Sequence, residues 1–203
     1  MEVSNPTAWK SLTEAMTKLR VKNPTLANQV ENEAKQAFAE YNVVDEISGL
    51  KSFTTQIDGK IRIIGKEALY GNQAETFFNS EYATAELVED IMTYRRFGGN
   101  AKLGGSYVST VEKLSREELA LVEEFNNSMR FEAIIKVPKG EKINIGKVGP
   151  WPPKATEYMG GADQIILKYG YPEHAWVHSI KDFKTGKIYT YGEFRKTFPN
   201  MCQ

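Results

Sequence analysis

The chain has 203 residues, a length that fits one domain or one domain with an appendage. Hydrophobic residues make up 41% of it and charged residues 26%, the composition of an ordinary globular chain, so wholesale disorder is excluded. Lys+Arg and Asp+Glu both number 26, so no whole-chain field draws the protein to nucleic acid or to an anionic membrane. The single cysteine, Cys202, permits neither an intrachain disulfide nor a Cys-based zinc site. No apolar run approaches the roughly 20 residues of a membrane span, and the start, MEVSNPTAWK, lacks the zones of a signal peptide.

Asn5-Pro6 and Asn23-Pro24 each place a capping residue before a proline, the arrangement of a helix start. Trp9, Leu12, Met16 and Leu19, then Leu26, Val30, Ala34, Phe38 and Tyr41, recur at helical spacing, which predicts two amphipathic N-terminal helices. After the Asp58-Gly59 turn signal, Lys60 to Ile64 reads as a strand. Leu87, Val88, Ile91 and Met92 predict a helix over 84–94 that stops before Gly98-Gly99 and carries Tyr94, Arg95 and Arg96 at its C-terminal end. Ser115 and Glu118 form a capping box, and Leu119, Val122 and Phe125 predict a helix ending near Asn126-Asn127.

From Arg130 onward the period becomes that of strands. Segments 131–137, 142–148, 163–168, 175–183 and 187–191 are β-rich and separated by turn chemistry, and the last two read as a hairpin. Helices first and strands afterwards predict an α+β fold with a mixed or antiparallel sheet.

No Walker loop, nucleophile elbow or His-Glu-x-x-His motif is present. His174 and His178 lie four apart in a strand-like run and read as structural histidines more readily than as ligands. Three other segments could carry chemistry. In the first, 94–99, the Arg95-Arg96 fork suits a diphosphate, although basic residues also settle at helix C-termini. In the second, 104–110, glycines allow close backbone approach and Ser109 and Thr110 can hold a neighbour or a ribose hydroxyl; a bulged strand is the plainer reading. In the third, 160–167, the Gln164 amide can bond a sugar hydroxyl, with Asp163 on the opposite side of the strand. Trp151, on a proline-rich loop, could stack on a ring or close the core.

Taken in order, Arg96-Phe97-Gly98, Gly105 to Thr110, Ile145 to Trp151 and Gly160-Gly161-Ala162-Asp163-Gln164 resemble the ADP-ribosyltransferase superfamily over about residues 92 to 180. Within it they are most similar to the tuberculosis necrotizing toxin-like branch of NAD glycohydrolases. The resemblance implies an ADP-ribosyltransferase-like split sheet, with a helical segment at 1–78 and an NAD-binding catalytic domain at 79–203. It implies Arg96, Ser109 and Gln164 as catalytic residues, and Arg95, Phe97, Gly98, Tyr107, Thr110 and Trp151 as further contacts to NAD+, which is substrate; no metal is implied. A glutamine cannot act as a base, which favours water as the acceptor. Unlike the branch, this chain has no histidine between Arg96 and Gln164, leaving that role vacant or to a group such as Glu132, Asn126, Asn127 or His174.

The activity expected from the resemblance is that of a bacterial toxin or effector that hydrolyses NAD+ to nicotinamide and ADP-ribose. A mono-ADP-ribosyltransferase is the alternative, with Asp163 or Glu157 as an available carboxylate, and a non-catalytic binding module is the third possibility. The expected partners are NAD+ and a cognate immunity protein, with no membrane and no nucleic acid except as an ADP-ribose acceptor. The expected setting is secretion without a classical signal peptide and action in a target-cell cytoplasm.

Overall fold

The computed structural model describes residues 57, 59–151, 154 and 157–202, together with Asn23, Thr25 and Leu26. The chain divides into two compact units, Met1–Ser52 and Phe53–Gln203. In the first, Asn23 Oδ1 accepts from the Leu26 N–H at 3.1 Å, the bond an N-cap makes. The remainder of the two predicted N-terminal helices lies outside the described residues.

The second unit is built mostly of antiparallel strands, with little helix, in the α+β class. Strands β1 (Ile61–Gly65), β2 (Phe77–Leu87), β4 (Tyr107–Val108), β6 (Lys142–Val148) and β7 (Asp163–Ile166) form a five-stranded sheet in the order β1-β2-β6-β7-β4. Strands β3 (Ile91–Gly99), β5 (Asn127–Val137), β8 (Val177–Asp182) and β9 (Ile188–Tyr189) form a four-stranded sheet in the order β3-β5-β8-β9. The unit reaches back before residue 79, because β1 pairs with β2 over Ile61↔Leu87 to Gly65↔Thr84. Two short helices, α1 (Glu173–Trp176) and α2 (Tyr191–Thr197), complete it, and α2 starts at a Thr190/Glu193 capping box.

One core cluster draws on both sheets: Leu87, Ile145 and Ile165 from the first, Phe97, Phe131 and Ile180 from the second. Its aromatic centre is tight. Phe131 stands 5.4 Å from Phe97 and 5.0 Å from Phe194, and both rings are tilted or edge-on to it.

The strand periods hold in the middle of each segment, but His174, Ala175 and Trp176 belong to α1 and Tyr191 to α2, and the two central helices do not form. Leu87 and Ile91 are four residues apart because a turn at 88–90 separates the end of β2 from the start of β3, which mimics one helical step. That turn is fixed by Asp90, which accepts from the Lys139 N–H and pairs with Lys136. Arg95 and Arg96 therefore stand in the interior of a strand, not at a helix end. At 115–126 the capping box forms as expected, with Ser115 N–H donating to Glu118 and Glu118 N–H to Ser115 Oγ. The helix does not continue, because Gly160 and Ala162 donate to the carbonyls of Glu117 and Glu118, which the next helical turn would need. Ala120 is left-handed (φ 46°), and only a 3-10 turn at Glu123–Phe125 follows.

Candidate functional site

Strand parity decides which side chains share a face. Tyr94 and Ser109 exchange both backbone hydrogen bonds at 2.8 Å, so the segment that begins as β4 leaves the five-stranded sheet and joins the four-stranded one. Directly paired residues project to the same side, and so do residues two apart. Arg96 thus shares a face with Tyr94, Tyr94 with Ser109, Ser109 with Tyr107, Tyr107 with Ile166, and Ile166 with Gln164. Arg96, Ser109, Tyr107 and Gln164, drawn from two sheets, project from one continuous face. Arg95, Phe97, Val108 and Thr110 project from the other, toward the core.

Arg96 is held at three points. Its Nη2 donates to the Met129 carbonyl at 2.6 Å, its guanidinium lies over the Phe183 ring at 4.1 Å, and Nη1 is 4.0 Å from Glu132 Oε2. Burial lowers its pKa, with Glu132 opposing the shift and Arg116 adding to it. Glu132, directly opposite on β5, is almost fully buried and accepts from the Lys113 N–H at 2.7 Å.

Arg95, the competing register, is spent on the fold. Nε and Nη2 donate to the Lys102 carbonyl at 3.0 and 2.9 Å, and Nη1 to the Tyr107 carbonyl at 2.7 Å. Burial again lowers its pKa, and Tyr171 and Glu173 oppose the shift. The glycine at 105 has its reason here: a Cβ would stand 1.9 Å from Arg95 Nη2, so the close approach it permits is to an arginine. Phe97 is wholly buried in the aromatic core. Gly98 (φ 138°) forms the bulge that ends β3, where a Cβ would meet Ser128 Oγ at 2.3 Å. These positions are structural: the Arg95 and Phe97 side chains project away from the face that carries Arg96, and Gly98 has no side chain to place on it.

Ser109 is buried and accepts from the Val111 N–H at 3.2 Å. Thr110 turns the other way and donates to Asp163 Oδ2 at 2.7 Å, while Lys147 Nζ pairs with Asp163 Oδ1. Asp163 thus faces away from Gln164, as strand alternation requires, and is neutralised by its own partners. Gln164 Nε2 donates to Thr76 Oγ1 at 2.8 Å, and the Thr76 hydroxyl donates to the Gln73 carbonyl at 2.7 Å. A hydroxyl has one proton, so Thr76 can only accept from Gln164; this fixes the amide and leaves Gln164 Oε1 as the acceptor atom.

Two loops border the face. Residues 111–126 lean on it through Lys113 and Glu132, and Arg116 ties them down by donating to the carbonyls of Leu121 and Asn127. The 149–161 loop latches onto them: the Trp151 and Phe125 rings meet edge-on at 4.8 Å, Lys154 pairs with Glu124, and the Tyr158 hydroxyl bonds the Glu123 carboxylate. That last bond pushes the tyrosine up to about 12 and holds Glu123 below its ordinary range. Trp151 is 36% exposed, so it closes a loop contact and leaves part of its ring open. His174 (α1) and His178 (β8) are both exposed.

On the same face, where Asn144 pairs with Ile166, a cavity of about 870 Å³ opens between Ser106, Gln73 and Tyr169. It is open on one side to solvent, and neither Arg96 nor Gln164 lines it. Among the described residues no group of three or more His, Cys, Asp or Glu could hold a metal ion. Sequence reasoning missed Thr76, Lys181 and Phe183. The alternation in 175–183 placed Lys181 and Phe183 on one side of a strand, and only the pairing of β8 with β5 shows that this side is Arg96's. No protein-family model, curated protein or solved structure matches this chain.

Proposed function

We propose that this unit cleaves the nicotinamide–ribose bond of NAD+ with water as acceptor, on a split sheet of the ADP-ribosyltransferase kind. The observation that carries the reading is the shared face of Arg96, Ser109 and Gln164, contributed by two sheets that meet at a single bridge. Composition alone would not align an arginine, a serine and a glutamine over three strands.

The chemistry asks little of a general acid, because nicotinamide leaves as a neutral ring from a cationic substrate and the ribose becomes oxocarbenium-like. Arg96, fixed by a carbonyl and a ring, supplies a preset positive group for the diphosphate. Gln164 Oε1, oriented by Thr76, accepts a ribose hydroxyl and stabilises the developing charge. Tyr107, 38% exposed on the same face, offers a ring against nicotinamide. Water adds to the ribose carbon, giving ADP-ribose, nicotinamide and a proton.

In this reading the protein is a toxin or effector that acts on the NAD+ pool of a target cell, and its neutralising partner is an immunity protein covering the Arg96 face. The second reading is transfer of ADP-ribose to a macromolecule. It draws on Glu132, a carboxylate on the same face beside Arg96 that could orient an acceptor.

The test is incubation of the purified chain with NAD+, following nicotinamide and ADP-ribose with and without cell extract. Equal release of both in buffer, reduced at least about tenfold in Gln164→Ala, supports the glycohydrolase. Nicotinamide release only with extract, and label trapped on a macromolecule, replaces it with the transferase. No turnover under either condition overturns both.

A further inference from the structure

The four-stranded sheet carries a row of charge across three strands. Arg96 on β3 faces Glu132 on β5, and Glu132 faces Lys181 on β8, so the three side chains stand together on one face. Phe183, two residues beyond Lys181, shares that side. The Arg96 guanidinium lies 4.1 Å from the Phe183 ring centre and Lys181 Nζ lies 5.2 Å from it. Two cations therefore converge on one ring, which is itself 37% exposed.

The carboxylate in the row is buried. Glu132 Oε2 takes the Lys113 N–H at 2.7 Å and stands 4.0 Å from Arg96 Nη1, and only 4% of its side chain is exposed. Lys181 makes no ion pair among the described residues. Arg116, another cation near Arg96, has its guanidinium engaged with two carbonyls. The row thus holds two positive groups against one buried negative one. A bound anion would balance the excess positive charge of the row.

Arg96 alone is a poor match for a diphosphate. One of its terminal nitrogens is occupied by the Met129 carbonyl, so it cannot present its whole fork, and each phosphate of a diphosphate brings its own charge. A lysine ammonium is a compact charge on a flexible stem, suited to follow the second phosphate. We infer that Lys181 is the second arm of an anion clamp with Arg96, that Phe183 is the apolar floor between them, and that the group it takes is the diphosphate of the dinucleotide. This rests on the NAD-cleaving reading for the identity of the ligand.

The test is calorimetric titration of the purified chain with ADP, which carries the diphosphate without nicotinamide, alongside the KM for NAD+. Lys181→Ala weakens ADP binding and raises KM by about ten- to a hundredfold, the effect of losing a charged hydrogen bond, while kcat changes far less. Lys181→Arg restores most of the affinity. Lys184→Ala, which removes an equal charge from the exposed hairpin tip, leaves both unchanged. Thermal midpoints of all three variants stay at the wild-type value, which separates lost binding from lost folding. Wild-type affinity in Lys181→Ala, or an equal loss in Lys184→Ala, overturns the clamp, as does failure of the wild-type chain to bind ADP. ADP binding through Lys181 without NAD+ cleavage leaves the clamp standing and removes the NAD-cleaving reading. Cleavage with KM unaffected by Lys181→Ala does the reverse.

Discussion

Arg95 and Arg96 are neighbours of the same type on the same strand, and the two faces of the sheet give them different work. Arg95 turns toward the core and spends three nitrogens on the Lys102 and Tyr107 carbonyls, which holds the 102–107 loop in place. Arg96 turns to the other face, where a carbonyl, a carboxylate and a ring fix its direction and leave 14% of its side chain exposed. The contrast extends along both strands: Thr110 and Asp163 satisfy each other on the inner face, while Ser109 and Gln164 stand on the outer one. All four are buried, but the inner pair satisfy each other, whereas on the outer face Arg96 Nε has no hydrogen-bond partner among the described residues. That asymmetry, more than any single residue, marks where a ligand belongs.

Exchanging the two arginines gives the sharpest test of the asymmetry. Arg95→Ala strips donors from two carbonyls and opens space beneath Gly105, at about 1–3 kcal/mol for each buried group left unsatisfied. For a domain of this size that lowers the thermal midpoint by several degrees or more. Arg96→Ala strips one donor and removes a charge beside the buried Glu132, so it lowers the midpoint less than Arg95→Ala does, but it reduces kcat/KM for NAD+ by about a hundredfold or more, the scale of a lost electrostatic contact to the reacting ligand. Paired scanning calorimetry and turnover assays read both. If the two substitutions cost the same stability, the division between faces is wrong.

A second way to sharpen the comparison uses acid. Asp182, on the inner side and inaccessible to solvent, is bridged by Arg130 Nε and Nη2 at 3.1 and 2.7 Å. This pair holds its carboxyl at about 2, well below the ordinary range near 4. A depressed carboxylate contributes stability that is present above the unfolded value and is lost as pH falls through the folded one. The protein therefore loses stability between about pH 4 and pH 2, and Asp182→Asn, already destabilised at neutral pH, shows a flatter profile over that window. Denaturant melts at successive pH values check it; an unchanged slope removes Asp182 from the inner-face account.

What the sequence made legible follows from where each segment's constraints originate. The strands after Arg130 were readable because alternation and turn chemistry are local: Lys142 to Val148 has the predicted limits, and the 175–191 hairpin pairs as expected. The helix predicted over 84–94 failed because the two strand ends bounding a turn fall at helical spacing, and nothing local separates those cases. Ser115 and Glu118 show a subtler limit, since the capping box formed and the helix did not; the competing donors, Gly160 and Ala162, lie over 40 residues away. Of the candidate site, Arg96, Ser109, Tyr107 and Gln164 could be nominated as types in order, but the inward turn of Arg95, Phe97 and Thr110 became visible only with the register. Thr76, which orients Gln164, had no signal at all before the fold brought position 76 to position 164.

The smallest expected effect is at the loop latch. Trp151 meets Phe125 edge-on at 4.8 Å, and both rings are partly exposed, so Trp151→Ala costs about 1 kcal/mol. For a domain of this size the thermal midpoint moves by only about 2–4 °C. Hydrogen exchange is the more telling measurement, because the contact joins two loops and no part of the core. Amides over 117–126 exchange faster in the variant, while those of β3, bonded along their whole length to β5, keep their protection. Faster exchange in β3 as well would mean that the latch supports the sheet itself. The outer face would then be a continuation of the core, and the separation drawn between Arg95 and Arg96 would lose its structural basis.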